Sequence, residues 1–277
     1  MKSLNNNKSV FIGVTLGIVA AVSCSIIVPV LHEKKCKNRV YKDMQSKAET
    51  IEQSVIGIIP ETKTDGAVSH DGIGSGVIFE KNENIYYAVT AAHVVENDNS
   101  SYKIFTRNTE FSGQSVKADE NASVVFEIPD ENYYESLLDG KVEYKSDTTD
   151  LAIVSFETEE ELPLLEFEDS KIEKGNRIMC IGHPEGNRYE KTYGTITSGL
   201  KTATTVSKLS GTKSTDKIYE HNAYLNFGNS GGVAISENMK IAGINNGGEF
   251  TKAGHFSKGF MIPYDIVEEN IEKWKNN

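Results

Sequence analysis

The chain has 277 residues, with 40 acidic and 29 basic side chains and a formal net charge of −11. Lys and Arg are scattered beyond residue 42, so no basic stripe for nucleic acid is present. Only one of three cysteines, Cys180, lies beyond residue 36, which excludes an internally disulfide-stapled main body.

Residues 1–9 form a short tail. Val10 to Leu31 is 22 residues without a charge. At ~1.5 Å per residue it spans ~33 Å, which predicts a transmembrane anchor over 10–31. A cleaved signal peptide is the rival reading, with Lys2 and Lys8 ahead of the run and small residues around Ala20 to Ser23. Lipid attachment at Cys24 is disfavoured, because Ser25-Ile26-Ile27-Val28 continues the apolar run. Lys34, Lys35, Lys37, Arg39 and Lys42 follow the span; by the positive-inside rule alone they would face the cytoplasm. Residues 32–55 are polar and read as a juxtamembrane stem, with a short helix around Tyr41 to Val55. Residues 56–277 form the folded domain.

Within it, short apolar runs recur at Val77–Phe79, Ile85–Thr90, Tyr102–Thr106, Ser123–Ile128, Leu151–Phe156, Arg177–Ile181, Tyr193–Thr197, Gly232–Ile235, Ile241–Ile244 and Phe260–Ile262. They are β-branched or aromatic and punctuated by glycine, the pattern of an all-β barrel or sandwich. Pro129 to Thr149 reads as a polar connection. The acid-rich Glu157 to Asp169 has no calcium-loop spacing and reads as a solvated face. No metal or cofactor is expected. Cys180 reads as a small buried hydrophobe, and Asp265 to Trp274 as a terminal helix. No internal repeat is found.

Three segments carry chemistry. The strand-like Ile85 to Thr90 runs into Ala91-Ala92-His93, which places His93 at the end of rigid structure; a buried core histidine is the competing reading. Asp150 immediately precedes Leu151 to Phe156. A carboxylate there can accept from an imidazole Nδ1–H and hold its tautomer, although capping a turn is common, and Asp147 is an alternative. Gly228-Asn229-Ser230-Gly231-Gly232 sets a serine on a tight turn whose N–H groups can converge beside its hydroxyl; an ordinary glycine-rich turn would look similar.

In this His, Asp, Ser order the segments resemble the chymotrypsin-fold serine proteases, most closely the bacterial HtrA-like branch. Further matching stretches are Gly74-Ser75-Gly76-Val77-Ile78-Phe79, Ile181-Gly182-His183-Pro184-Glu185-Gly186, Gly194-Thr195-Ile196-Thr197-Ser198-Gly199, Asn222 to Gly232, Ile241-Ala242-Gly243-Ile244-Asn245 and Gly259-Phe260-Met261-Ile262-Pro263. The likeness covers about residues 70 to 265. Asn222 and Phe227 depart from the family's aspartate and proline, and Tyr224 from a small residue. The chain stops too soon for the PDZ domain that many HtrA-like enzymes carry.

The resemblance implies two six-stranded antiparallel barrels with a C-terminal helix, preceded here by the membrane anchor. It implies a serine endopeptidase with catalytic residues His93, Asp150 and Ser230, and an oxyanion hole from the N–H groups of Gly228 and Ser230. Tyr224 and Asn245 would contact substrate. No acidic residue stands in Asn222–Phe227 or Ile241–Gly248, so a non-basic P1 side chain is expected. The family's location places the catalytic domain outside the cytoplasm, against the positive-inside reading. The expected partners are a protein or peptide substrate and the membrane, and no nucleic acid; the oligomeric state is left open. A peptide-binding module that cleaves weakly is the alternative function. An esterase is a third, disfavoured by the lack of a strand–Gly-x-Ser-x-Gly–helix elbow.

Overall fold

The computed structural model describes residues 39–64, 67–70, 72–97, 100–117, 125–146, 148–206 and 213–277. The expected tail, the anchor over 10–31, the start of the stem and Asp147 lie outside these residues. Among the described residues no helix is long and apolar enough to cross a membrane. The chain divides into two compact units, 1–45 and 46–277. The described part of the first, 39–45, is helical. The second opens with helical residues 46–52 (α1) and contains everything discussed below.

Six strands close a first barrel. They are β1 (Val55–Thr64), β3 (Gly74–Asn82), β4 (Ile85–Thr90), β9 (Ala152–Glu157), β8 (Leu138–Lys145) and β5 (Ser100–Phe105), all antiparallel, with β5 returning to β1. The short β2 (Ala67–His70) folds back on the far end of β1. Alternation along each strand sends one face inward: Ile56, Ile58, Ile78, Tyr86, Ala88, Ile104, Val154 and Phe156 form the core. The buried Tyr86 keeps its hydroxyl satisfied, donating to the Glu160 carbonyl at 2.8 Å and accepting from Leu162 N–H at 3.1 Å.

The second half departs from the expected closed barrel. Its seven-stranded sheet has the order β11 (Glu190–Thr195), β10 (Arg177–Gly182), β14 (Val233–Ser236), β15 (Ile241–Phe250), β16 (Phe256–Pro263), β13 (Lys213–His221), β12 (Lys201–Val206). The sheet curls into a half-barrel whose closure rests on one isolated bridge, Ile196 with His221. The cause is local: beyond Thr197 the chain leaves to form β12, and β12 takes the rest of the β13 edge. Its core includes Ile178, Cys180, Leu225, Ala234, Ala242 and Met261.

Within the first half, Pro129 to Thr149 is not a plain connection. It carries α2 (Glu131–Ser136), capped by Asp130 accepting from Tyr133 N–H at 2.9 Å, and then β8. A separate ribbon pairs β6 (Gly113–Lys117) with β7 (Val125–Pro129). The terminal helix α3 (Tyr264–Lys275) follows β16 yet packs against the first barrel. Its Trp274 ring meets Tyr87 at 4.9 Å and Phe79 at 6.2 Å. Its buried Asn270 accepts from Tyr144 Oη–H and Thr149 Oγ1–H at 3.2 and 3.1 Å.

Candidate active site

His93 sits in a short 3-10 turn, Ala92–Val95, at the end of β4. Asp150 stands at the entry to β9, the neighbouring strand. The Asp150 carboxylate grips His93 twice: Oδ1 accepts the backbone N–H at 2.9 Å, and Oδ2 lies 2.7 Å from Nδ1. The carboxylate oxygen is the acceptor and Nδ1–H the donor, so in the neutral imidazole Nε2 keeps its lone pair. The Asp150 side chain is 5 % exposed and that of His93 25 %. Burial pulls the imidazole pKa down. The hydrogen bond and charge of Asp150, with the charges of Glu96 and Asp216, outweigh burial and hold it above its ordinary value.

A second carboxylate lies behind the first. Asp216 on β13 is buried, accepts the Asp150 N–H at 2.9 Å through Oδ1, and accepts from the Ser214 hydroxyl through Oδ2. Burial pushes its carboxyl pKa up; the Ser214 hydroxyl and the Asp150 N–H oppose this, and the nearby Asp150 charge adds to it. Asp216 gave no signal in the sequence, because β12 and β13 are polar strands without an apolar run.

Ser230 is half-buried on the loop between Gly228 and Gly231. Gly228 has φ +101 and Gly231 φ +80, a region that glycine enters without steric cost. At Gly231 a Cβ would lie 2.1 Å from the Ser75 carbonyl oxygen and 2.2 Å from Thr90 Oγ1. The serine loop is thus pressed against the end of β4, three residues before His93.

Every carbonyl from residue 227 to 230 has a donor. The Phe227 carbonyl accepts from Glu185 N–H at 2.6 Å and the Gly228 carbonyl from Ser75 Oγ–H at 2.7 Å. The Asn229 carbonyl accepts from Gly232 N–H at 2.9 Å, and the Ser230 carbonyl from Ser75 N–H at 2.8 Å. The N–H groups divide differently. Those of Asn229 and Gly231 go to the Asn226 and Asn245 carbonyls at 3.1 and 2.8 Å. Among the described residues, those of Gly228 and Ser230 meet no acceptor. Two unspent donors beside a serine hydroxyl are what a tetrahedral oxyanion requires.

Tyr224 is 43 % exposed, its ring set against Phe256 at 5.2 Å, and Phe227 is 61 % exposed. Asn245 is fully buried, its N–H donating to the Gly232 carbonyl and its carbonyl accepting from Gly231, each at 2.8 Å. Asn229 is also buried, and its Nδ2 has no partner among the described residues. Cys180 lies in the core, where burial pushes its thiol pKa up to about 12. Among the described residues no group of three His, Cys, Asp or Glu side chains is placed to hold a metal ion.

The trypsin-like peptidase domain family matches residues 74–244. The chain is 29% identical over 216 residues to the serine protease Do-like HtrA of Lactobacillus helveticus, covering 73% of this chain and 44% of that protein. It is 30% identical over 254 residues to the serine protease Do-like HtrA of Lactococcus lactis, covering 87% of this chain and 55% of the other. A DegP-like serine endoprotease of Rickettsia conorii, named as periplasmic, is 28% identical over 207 residues, covering 74% of this chain and 34% of its own length. The chain therefore spans between about a third and just over half of the length of these relatives.

Proposed function

Because the chain belongs to the trypsin-like peptidase family, on its HtrA-like branch, we propose that it is a serine endopeptidase acting through His93, Asp150 and Ser230. Ser230 Oγ attacks the carbonyl carbon of a peptide bond while its proton passes to His93 Nε2. Asp150 holds the imidazole by Nδ1–H and stabilises the imidazolium. The oxyanion forms where the N–H groups of Gly228 and Ser230 are unspent, and each such donor contributes roughly 3 kcal/mol in the transition state. His93 then protonates the leaving amine. Water, deprotonated by the same Nε2, hydrolyses the acyl-enzyme.

The observation that carries this reading is the double grip of Asp150 on His93, next to a serine loop whose spare donors are those of Gly228 and Ser230. A fluorophosphonate probe should label the protein at Ser230, and casein turnover should vanish in Ser230→Ala. Labelling that survives in that variant would reject the nucleophile. Labelling without turnover would favour the peptide-binding module.

Substrate would lie along the serine loop, with Tyr224 flooring a shallow pocket for a small or medium apolar side chain and Asn245 supporting the loop through its backbone. A peptide library should show a non-basic P1 preference, and Tyr224→Ala should admit larger side chains. Residues 10–31 would tether the enzyme to a membrane with its catalytic unit outside the cytoplasm, as the periplasmic designation of one relative suggests. Protease accessibility in intact cells against permeabilised cells tests the side.

A further inference from the structure

Of the four carbonyls in the serine loop, one alone depends on a side chain for its donor: that of Gly228, held by the Ser75 hydroxyl. Its peptide plane lies between the two that present the Gly228 and Ser230 N–H groups. Ser75 belongs to β3 of the first barrel and is fully buried. It grips the loop twice, through Oγ–H to Gly228 and N–H to Ser230.

The hydroxyl is saturated. Its single proton goes to Gly228, since a carbonyl only accepts. Its two lone pairs face His183 N–H at 3.1 Å and His183 Nδ1 at 3.0 Å. With the hydroxyl proton spent, Nδ1 must be the donor, which fixes His183 as the Nδ1–H tautomer. The ring is fully buried, edge-on to Phe105 and Tyr189 at 4.7 Å each. Burial, aided by the Arg188 charge, lowers its pKa to about 3, so it stays neutral over the working range. Its Nε2 has no partner among the described residues. The His183 carbonyl also abuts the loop: a Cβ on Gly228 would lie 2.1 Å from that oxygen.

We infer that Ser75 and His183 are positioning residues for the oxyanion hole: His183 saturates and aims the Ser75 hydroxyl, which turns the Gly228 carbonyl away and holds the Gly228 and Ser230 N–H groups on the substrate oxygen. Neither residue touches substrate. The inference rests on the proposed serine endopeptidase mechanism, and the two fail separately. Turnover by the full-length protein that does not depend on Ser230 overturns the mechanism and the clamp with it, whereas Ser230-dependent turnover untouched by Ser75→Ala overturns the clamp alone.

The test uses the full-length protein in detergent micelles with a fluorogenic peptide amide and a peptide boronate. Ser75→Ala should lower kcat by about tenfold to a hundredfold, less than the roughly hundredfold to thousandfold loss on removing a hole donor outright, because the donors are misaimed and not deleted. KM should stay within about threefold, and boronate affinity should fall in parallel with kcat. The apparent pKa of kcat/KM, set by His93, should not move. His183→Leu should reproduce these losses, and His183→Asn, which restores an N–H, should recover most of them. The double variant Ser75→Ala/His183→Leu should lose no more than either single one, as for residues acting through one bond. An unchanged kcat in Ser75→Ala, or loss confined to KM and thermal stability, overturns the proposal. Should Ser75→Ala not fold, the His183→Leu and His183→Asn pair decides: equal activity in the two overturns it.

Discussion

Thr149 and Asn270 lie 121 residues apart and share a hydrogen bond of 3.1 Å. It ties the terminal helix to the residue just before Asp150. Asn270 is buried, its Oδ1 also accepts from Tyr144 Oη–H, and its Nδ2 donates to the Ile266 carbonyl at 2.8 Å. Its amide is thus committed on both ends.

Asn270→Ala should therefore act on both stability and rate. It leaves the Tyr144 hydroxyl without its acceptor and the Thr149 hydroxyl with Ser146 Oγ alone, at 2.8 Å, a loss of about 1–3 kcal/mol. Urea unfolding should show the loss, and kcat should fall because the segment carrying Asp150 is freed at one side. A variant that loses stability at unchanged kcat would show that the helix anchors the barrel alone.

The pH profile follows from the carboxylates around His93. The base must be neutral, so kcat/KM should rise with pH through an apparent pKa above the ordinary 6.5 for histidine. Asp150→Asn removes the hydrogen-bonded charge that opposes burial, so the limb should shift to lower pH along with a large loss of rate. Asp216→Asn keeps an oxygen for the Asp150 N–H and removes a more distant charge, so it should shift the limb the same way by less. A limb that rises on either substitution contradicts the assignment.

Acid should weaken the fold through two other histidines. His183 and His221 are buried, and burial lowers their pKa to about 3 and about 4 from 6.5. Below pH 6.5 the unfolded chain takes up protons that the folded one refuses. Their contribution is thus full above that pH and declines as pH falls towards their folded values. Each contributes a slope of up to about 1.4 kcal/mol per pH unit. Urea midpoints between pH 7 and pH 5 should fall accordingly, and His183→Asn should flatten the dependence. The same slope in that variant would remove His183 from the account.

Activation by a freed N-terminus requires a buried carboxylate beside the nucleophile, and the residue there is the uncharged, buried Asn229. Uncleaved protein should therefore turn over substrate. Activity that appears only after cleavage in the stem would contradict this. Asn229→Asp should destabilise the loop, since it buries a charge against Gly182, where a Cβ would already lie 2.6 Å from Asn229 Oδ1.

Sequence reading reached the elements whose pattern is local. β4, β9, β10 and β15 are apolar runs, and α3 has helical spacing. β8 escaped because none of its side chains is fully buried and its charged residues break the run. β12 and β13 escaped because polar residues leave them no apolar run, although β13 buries Asp216, Ile218 and His221, and β1 because it merges with the polar stem. The expected Ser123–Ile128 strand falls in β7 (Val125–Pro129) over 125–128, and 123–124 lie outside the described residues. At the site, His93, Asp150 and Ser230 stand out by their neighbours in the chain. Ser75, His183 and Asp216 do not, because what marks them is contact across 153, 108 and 66 residues. Ser75 and His183 lie in stretches that resemble the family's motifs, but a motif does not say which carbonyl a hydroxyl will meet.

The grip of Ser75 on Gly228 and Ser230 joins a strand made early to a loop made late. Until the two halves dock, the serine has no cradle for a reacting carbonyl and no scaffold to hold a base beside it. On the proposed mechanism, a polypeptide that has not yet docked its second half would lack the oxyanion cradle, so cleavage of neighbouring chains would require both halves to be in place.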